Sequence, residues 1–230
     1  MIVPVLRQFV IENKMSLGIA YDGDGDRCLA IDEKGNIIDG DIILAITSKY
    51  LKEKKKLNKD TVVATVMSNL GLNKYAENNE LTLKQTKVGD RYVLEEMLKE
   101  GYNLGGEQSG HVIFLDYNPT GDGILTSLMI IQAILESGKS ASELSSKVRT
   151  YPQVLINAKV SNEKKYGYEE DEEIKSAIAK LEEEFSGNGR VLIRPSGTEP
   201  LVRVMIEGED QNYIEEKATE IAKLIEEKLK

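Results

Sequence analysis

The feature that most constrains this chain is the alternation, over its first 150 residues, of short apolar runs with amphipathic stretches at helical spacing. Leu17 to Tyr21, Cys28 to Asp32 and the β-branched run TVVATV read as strands, as do LTLKQTKV and HVIFLD. Between them Val3 to Lys14, Asp41 to Lys54, Leu70 to Asn78, Asp90 to Lys99 and Asp122 to Ser137 repeat apolar residues at helical intervals, with a shorter helix near Ser142 to Val148. Helices with one apolar face, interleaved with short strands, bury that face economically by lying on a sheet. The expectation is a mixed-sheet α/β sandwich. After Tyr151-Pro152 the order changes to β-α-β-β-α: PQVLINAKV, a helix over Ile174 to Phe185, RVLIRPS, LVRVMIE, and a helix over Tyr213 to Leu229. That order predicts a small α+β domain and a boundary near residue 150.

Charge narrows the partners. Thirty Lys and Arg against thirty-nine Asp and Glu leave a formal charge of −9. Such a chain is a poor match for nucleic acid or an anionic membrane, so an anionic ligand must be caught by a local basic pocket. The segment Ile124 to Leu135 is the longest apolar-rich one, yet it is too short for a membrane span and contains Thr126, Ser127 and Gln132. The N-terminal stretch, interrupted by Arg7 and Glu12, lacks the pattern of a signal peptide. The single cysteine, Cys28, cannot form an internal disulfide, and a cytoplasmic location is expected. The lysine-rich run Lys52 to Lys59 reads as a solvated helix end.

YDGDGDRCLAID, Tyr21 to Asp32, sets aspartates at positions 22, 24 and 26 with glycines between them. A calcium loop, a magnesium site and a solvated acidic turn all share this spacing. Arg27 occupies the sixth position, where a helix-loop-helix calcium site needs glycine, and the flanks read as strands. Magnesium fits better: the glycines let alternate carboxylates aim at one point, and a cation offsets their repulsion. Arg27 beside them is suited to phosphate oxygens.

Three other polar loops carry chemistry. In GGEQSGH, Gly105 to His111, the alternation of Glu107, Ser109 and His111 would present them on one side of an extended stretch, a set suited to sugar hydroxyls. His111 is the only histidine. In RPSGTEP, Ser196, Gly197 and Thr198 offer hydroxyls and consecutive amides, and Arg194 with Arg203 adds guanidinium forks for phosphate. TKVGDRYV places Asp90 and Arg91 after Gly89, where a helix cap at Asp90 explains much of the pattern.

In the order DGDGDR, VGDRYV, GEQSGH and RPSGTEP, these loops make the chain resemble the α-D-phosphohexomutase family along nearly all its length. The resemblance implies Mg2+ held by Asp22, Asp24 and Asp26. It implies a sugar loop of Glu107, Ser109 and His111, and a phosphate loop of Arg194, Ser196, Gly197, Thr198 and the following Arg203. Arg27, Asp90 and Arg91 are implied as catalytic or proton-transfer helpers. Gln108 favours the branch that interconverts glucosamine 6-phosphate and glucosamine 1-phosphate through a phosphoserine and a 1,6-bisphosphate. Mannose- or glucose-phosphate mutase chemistry and a non-catalytic phosphosugar- or metal-binding module are the alternatives.

By the same resemblance, residues 1–39 correspond to the end of a second domain carrying the metal loop. Residues 40–150 correspond to a third domain and 151–230 to a fourth. The family's nucleophile loop, similar to T-A-S-H-N-P, does not occur in this sequence, and neither Ser68 nor Ser109 has its neighbours. The expected partners are therefore a phosphosugar and the other, N-terminal half of a mutase. Residues 1 to about 39 should expose unpaired strand edges and apolar surface, which self-association into a homodimer would cover.

Overall fold

A computed structural model describes residues 3–230; Met1 and Ile2, which open the apolar N-terminal stretch, lie outside the described residues. The chain divides into two compact units, one reaching Thr150 and the other running from Tyr151 to Lys230.

In the first unit, β4 (Thr61–Thr65) forms the middle of a four-stranded sheet with β5 (Thr82–Thr86), β6 (Leu104–Gly106) and β7 (Val112–Phe114), in the order β5-β4-β6-β7. Both neighbours of β4 run parallel to it, and β7 closes the sheet antiparallel to β6. The five residues of β4 are all buried, as a strand covered on both faces requires. Its alternation sorts the core: Val62 and Ala64 join the helices α2 (Gly40–Glu53), α3 (Leu70–Asn78) and α5 (Gly123–Ser137), while Val63 packs with Val93 and Met97 of α4 (Asp90–Glu100).

The short strand β6 is absent from the sequence expectation, which placed Gly105 and Gly106 in a loop. A side chain at Gly105 would meet Met97 Sδ at 2.6 Å and Val63 O at 3.0 Å. Glycine is there to let α4 approach the sheet, which reads in sequence as a loop signal.

The expected helix near the N-terminus is α1 (Val3–Glu12), followed by β1 (Leu17–Tyr21), β2 (Cys28–Asp32) and β3 (Ile37–Ile38) in an antiparallel sheet. These elements are not a separate unit. Ala30 and Ile38 belong to the same core as α2 and α5, and Glu33 accepts hydrogen bonds from the amide and hydroxyl of Ser142 in α6 (Ala141–Ser145). The outer side differs: Val5, Phe9, Ile11 and Met15 are exposed, and Val10 is the buried residue of α1.

The second unit is an antiparallel sheet, β8 (Gln153–Lys159), β10 (Leu201–Glu207) and β9 (Arg190–Pro195), with β10 in the middle. Val202, Val204 and Ile206 alternate along β10 and pack against α8 (Gln211–Leu229); α7 (Glu172–Phe185) completes that layer. Arg203 therefore lies on the other face. Among the described residues no helix is long and apolar enough to cross a membrane.

Candidate functional site

The acidic loop between β1 and β2 brings one oxygen each from Asp22, Asp24 and Asp26 within 4.8 Å of one another. Gly25 makes the turn at φ +75°, a conformation that favours glycine. Arg27 lies across the cluster, its Nε 3.6 Å from Asp22 Oδ2 and 3.9 Å from Asp26 Oδ1, while its backbone amide donates to Asp22 Oδ1 at 3.2 Å. Desolvation pushes the Asp22 carboxyl up, but the Arg27 amide and guanidinium help to outweigh it, and the net direction is down. Asp26 Oδ1 is buried and has no hydrogen-bond partner. Three carboxylates, one with a buried oxygen left open, suit a hard divalent cation such as Mg2+ and not a soft one.

Three backbone contacts clamp this loop. The Cys28 amide donates to Gly110 O at 3.1 Å, Arg27 forms a bridge with His111, and the Gly123 amide at the start of α5 donates to Gly25 O at 2.9 Å. The second oxygen of Asp26 is 2.9 Å from His111 Nδ1. On the far side of the ring the Gly121 amide donates to Nε2 at 3.1 Å. Because Nε2 accepts, the proton sits on Nδ1 and is donated to Asp26. A side chain at Gly121 would meet the imidazole at 2.4 Å, so the amide reaches the ring only because residue 121 is glycine. Asp90 Oδ2 lies 3.8 Å from Nε2. The lone histidine is thus buried and tied to the acidic cluster.

The expectation that Glu107, Ser109 and His111 share one extended edge is corrected. The Glu107 amide bonds His111 O and the Gly110 amide bonds Glu107 O, which folds residues 107–111 into a tight turn. The three side chains have different surroundings: His111 lies against Asp26, Ser109 is exposed, and Glu107 Oε1 accepts from the Gly89 amide at 3.1 Å. That last bond ties the VGDRYV loop to the GEQSGH loop. Arg91 does not join the cluster; it is turned to solvent and paired with Glu95 at 2.7 Å.

Sequence reasoning missed three contributors. The Gly121 amide fixes the histidine tautomer. The Gly40 amide donates to Gln108 O at 3.0 Å, and its missing side chain would stand 2.0 Å from Glu107 O. Asp39 caps α2 through Ile42; burial pushes its carboxyl up, against hydrogen bonds from the Ile42 amide and the Gln108 side chain. Of these, only Asp39 had a visible signal, an aspartate just before a helical pattern.

In the second unit, Arg194 and Arg203 stand directly opposite on β9 and β10. Like charges in that register repel. Arg194 Nε is buried without a hydrogen-bond partner, and burial followed by the Arg203 charge pushes its guanidinium pKa down. The loop between the strands buries Ser196, whose Oγ accepts from the Glu199 amide at 3.2 Å, and leaves Gly197 and Thr198 exposed. Arg203 Nη2 is 3.6 Å from Glu199.

Comparison with known proteins agrees with both units. Residues 39–151 match the family model described as phosphoglucomutase/phosphomannomutase, alpha/beta/alpha domain III, and residues 155–224 match that family's C-terminal domain. The chain belongs to the phosphohexomutase family. It is 60% identical over 225 residues to phosphoglucosamine mutase of Clostridium tetani and 61% identical over 223 residues to that of Clostridium acetobutylicum. These alignments cover 98% and 97% of this chain, which spans about half the length of the curated relatives it matches, 50% in each case. Among solved structures it is similar to N-acetylphosphoglucosamine mutase of Aspergillus fumigatus, with a TM-score of 0.74 at 22% identity over 91% of this chain and 48% of that one. A second structure of that protein, in complex with GlcNAc-6P and magnesium, superposes with a TM-score of 0.72, 22% identity and the same coverage. At that identity the likeness concerns the fold.

Proposed function

We propose that this chain supplies the metal-, sugar- and phosphate-binding loops of a phosphoglucosamine mutase that interconverts glucosamine 6-phosphate and glucosamine 1-phosphate. The observation that carries the reading is Asp26: one oxygen locked to His111 and the other buried and open, within a cluster of three carboxylates. Its relatives named phosphoglucosamine mutase support the choice of substrate.

In this reading Asp22, Asp24 and Asp26 hold Mg2+, which when bound neutralises charge on a transferring phosphoryl group. Arg27, next to the three carboxylates, supplies a cation suited to the phosphoryl oxygens. His111 keeps Asp26 oriented by donating from Nδ1, the support that a ligating carboxylate needs. Glu107 and Ser109 bind sugar hydroxyls, with Asp90 and Arg91 as neighbouring contacts or proton-transfer helpers. Arg194, Ser196, Gly197, Thr198 and Arg203 hold the phosphate that is not being transferred. A phosphorylated serine of the family's nucleophile loop is supplied from outside these residues.

The test is a coupled assay with glucosamine 1-phosphate, Mg2+ and a hexose 1,6-bisphosphate. The expected result is no turnover by this chain and recovery when the N-terminal half of a relative is added. Turnover by the purified chain would overturn the assignment of the nucleophile. Failure to recover, with phosphosugar still bound, would favour a non-catalytic binding module.

A further inference from the structure

Lys165 lies just before the short 3-10 turn Gly167–Glu169 of the second unit, and nothing in the motif RPSGTEP points to it. Its ammonium donates to the carbonyl oxygen of Ser196, 31 positions along the chain, at 3.0 Å. The side chain is half-buried and its Nζ stands 5.7 Å from the centre of the Tyr166 ring. Glu169, Glu170, Asp171, Glu172 and Glu173 follow within eight residues, yet among the described residues no carboxylate pairs with Lys165. A half-buried cation without a counter-charge is costly. An ammonium has three donors, and a single carbonyl occupies one of them.

Charge makes the placement informative. Arg194 and Arg203 set against Glu199 leave the Ser196 loop one excess positive charge. Lys165 raises the excess to two. A phosphate monoester carries about −1.5 to −2 near neutral pH. We propose that Lys165 is a third cation of this anion site and selects a phosphate dianion over monoanions. Its bond to Ser196 O holds the ammonium at the loop and leaves further donors for a ligand. The inference rests on reading the loop as a phosphate site.

The experiment titrates the full chain by NMR at pH 8 with inorganic phosphate, a dianion there, and with dimethyl phosphate as the monoanion. Three variants are compared with the wild type: Arg203→Met, Lys165→Gln, which retains a donor for Ser196 O without the charge, and Lys165→Arg. Wild type should bind phosphate more tightly than dimethyl phosphate, and Arg203→Met should lose both. Lys165→Gln should weaken phosphate about three- to fivefold, the scale of one partly solvated ion pair, and weaken dimethyl phosphate by a clearly smaller factor, about twofold or less. Lys165→Arg should restore the preference. Wild-type binding of phosphate that Arg203→Met abolishes and Lys165→Gln leaves intact would overturn the role of Lys165 and keep the loop. Equal weakening of both anions by Lys165→Gln would reduce Lys165 to a support of the loop and overturn the proposal. Failure of the wild type to bind phosphate would overturn the loop reading itself.

Discussion

The acidic cluster of the first unit and the basic loop of the second both gather like charges, and they tolerate the repulsion differently. The carboxylates of Asp22, Asp24 and Asp26 sit on a loop that backbone bonds tie to the GEQSGH turn and to the start of α5. Close glycine contacts leave that frame little room to move: side chains at Gly110 and Gly123 would meet backbone oxygens at 2.3 Å and 2.6 Å. Arg194 and Arg203 instead face one another through strand register alone, and their loop tip is open, with nothing within 4 Å of a side chain built at Gly197. In the proposed reading, the first arrangement holds the loop that carries the metal ligands, as an ion with strict geometry demands. The second leaves the tip of a phosphate loop room to close on its ligand.

The comparison breaks most severely if the frame is breached. Gly40→Ala would drive a methyl group toward Glu107 O and displace the GEQSGH turn. Unfolding in urea should show a loss of about 3 kcal/mol, at the upper end for overpacking against backbone. The equivalent change at Gly197, in open space, should be nearly silent. A neutral Gly40→Ala would mean that the first site is as adaptable as the second.

Next in size is the response to metal. At saturating Mg2+ the wild type should melt about 5 °C higher than in chelator, and Asp26→Asn should abolish that shift. Asp24→Asn should melt at or above the wild-type temperature in chelator and below it in Mg2+, because it removes both a repulsion and a ligand. Equal melting of wild type and Asp24→Asn under both conditions would show that the cluster is a solvated acidic turn.

A smaller effect should appear with pH at the N-terminus of α2. Burial holds the Asp39 pKa above its ordinary 3.8 in the folded state. In the window above 3.8 the folded chain therefore binds more protons than the unfolded one, so this group's contribution to stability falls as pH rises through that window. Asp39→Asn keeps a cap for the Ile42 amide and should flatten that part of the curve. An unchanged pH profile would remove Asp39 from the account.

Smallest of all is Arg203→Met in the absence of anions. Losing the contact with Glu199 and relieving Arg194 should offset one another, leaving stability within about 0.5 kcal/mol of wild type. A clear loss would show that the arginine pair supports the fold as well as a ligand.

Much of the fold was legible because periodicity reports burial directly. Leu17–Tyr21, Cys28–Asp32 and Leu70–Asn78 begin and end where apolar spacing placed them. The misses have one cause. Two-residue β3 and glycine-rich β6 carry too few side chains to show a period, and β6 is a strand because its neighbours pair with it. In the site, the residue types were legible and their relations were not. The DGDGDR and RPSGTEP loops declared carboxylates and guanidinium groups. Alternation misplaced Glu107, Ser109 and His111, since a turn closed by its own backbone bonds overrides the extended geometry that alternation assumes.

By itself the sequence determined which charges each loop carries, where the chain changes from sandwich to α+β, and which elements bury which faces. Those properties follow from local side-chain chemistry and spacing. Only the tertiary structure decided that His111 lends its proton to an aspartate 85 positions away, that the amide of Gly121 makes it do so, and that Lys165 reaches the carbonyl of Ser196. Hydrogen bonds reach about 3 Å and take no account of distance along the chain, so their partners are set by packing.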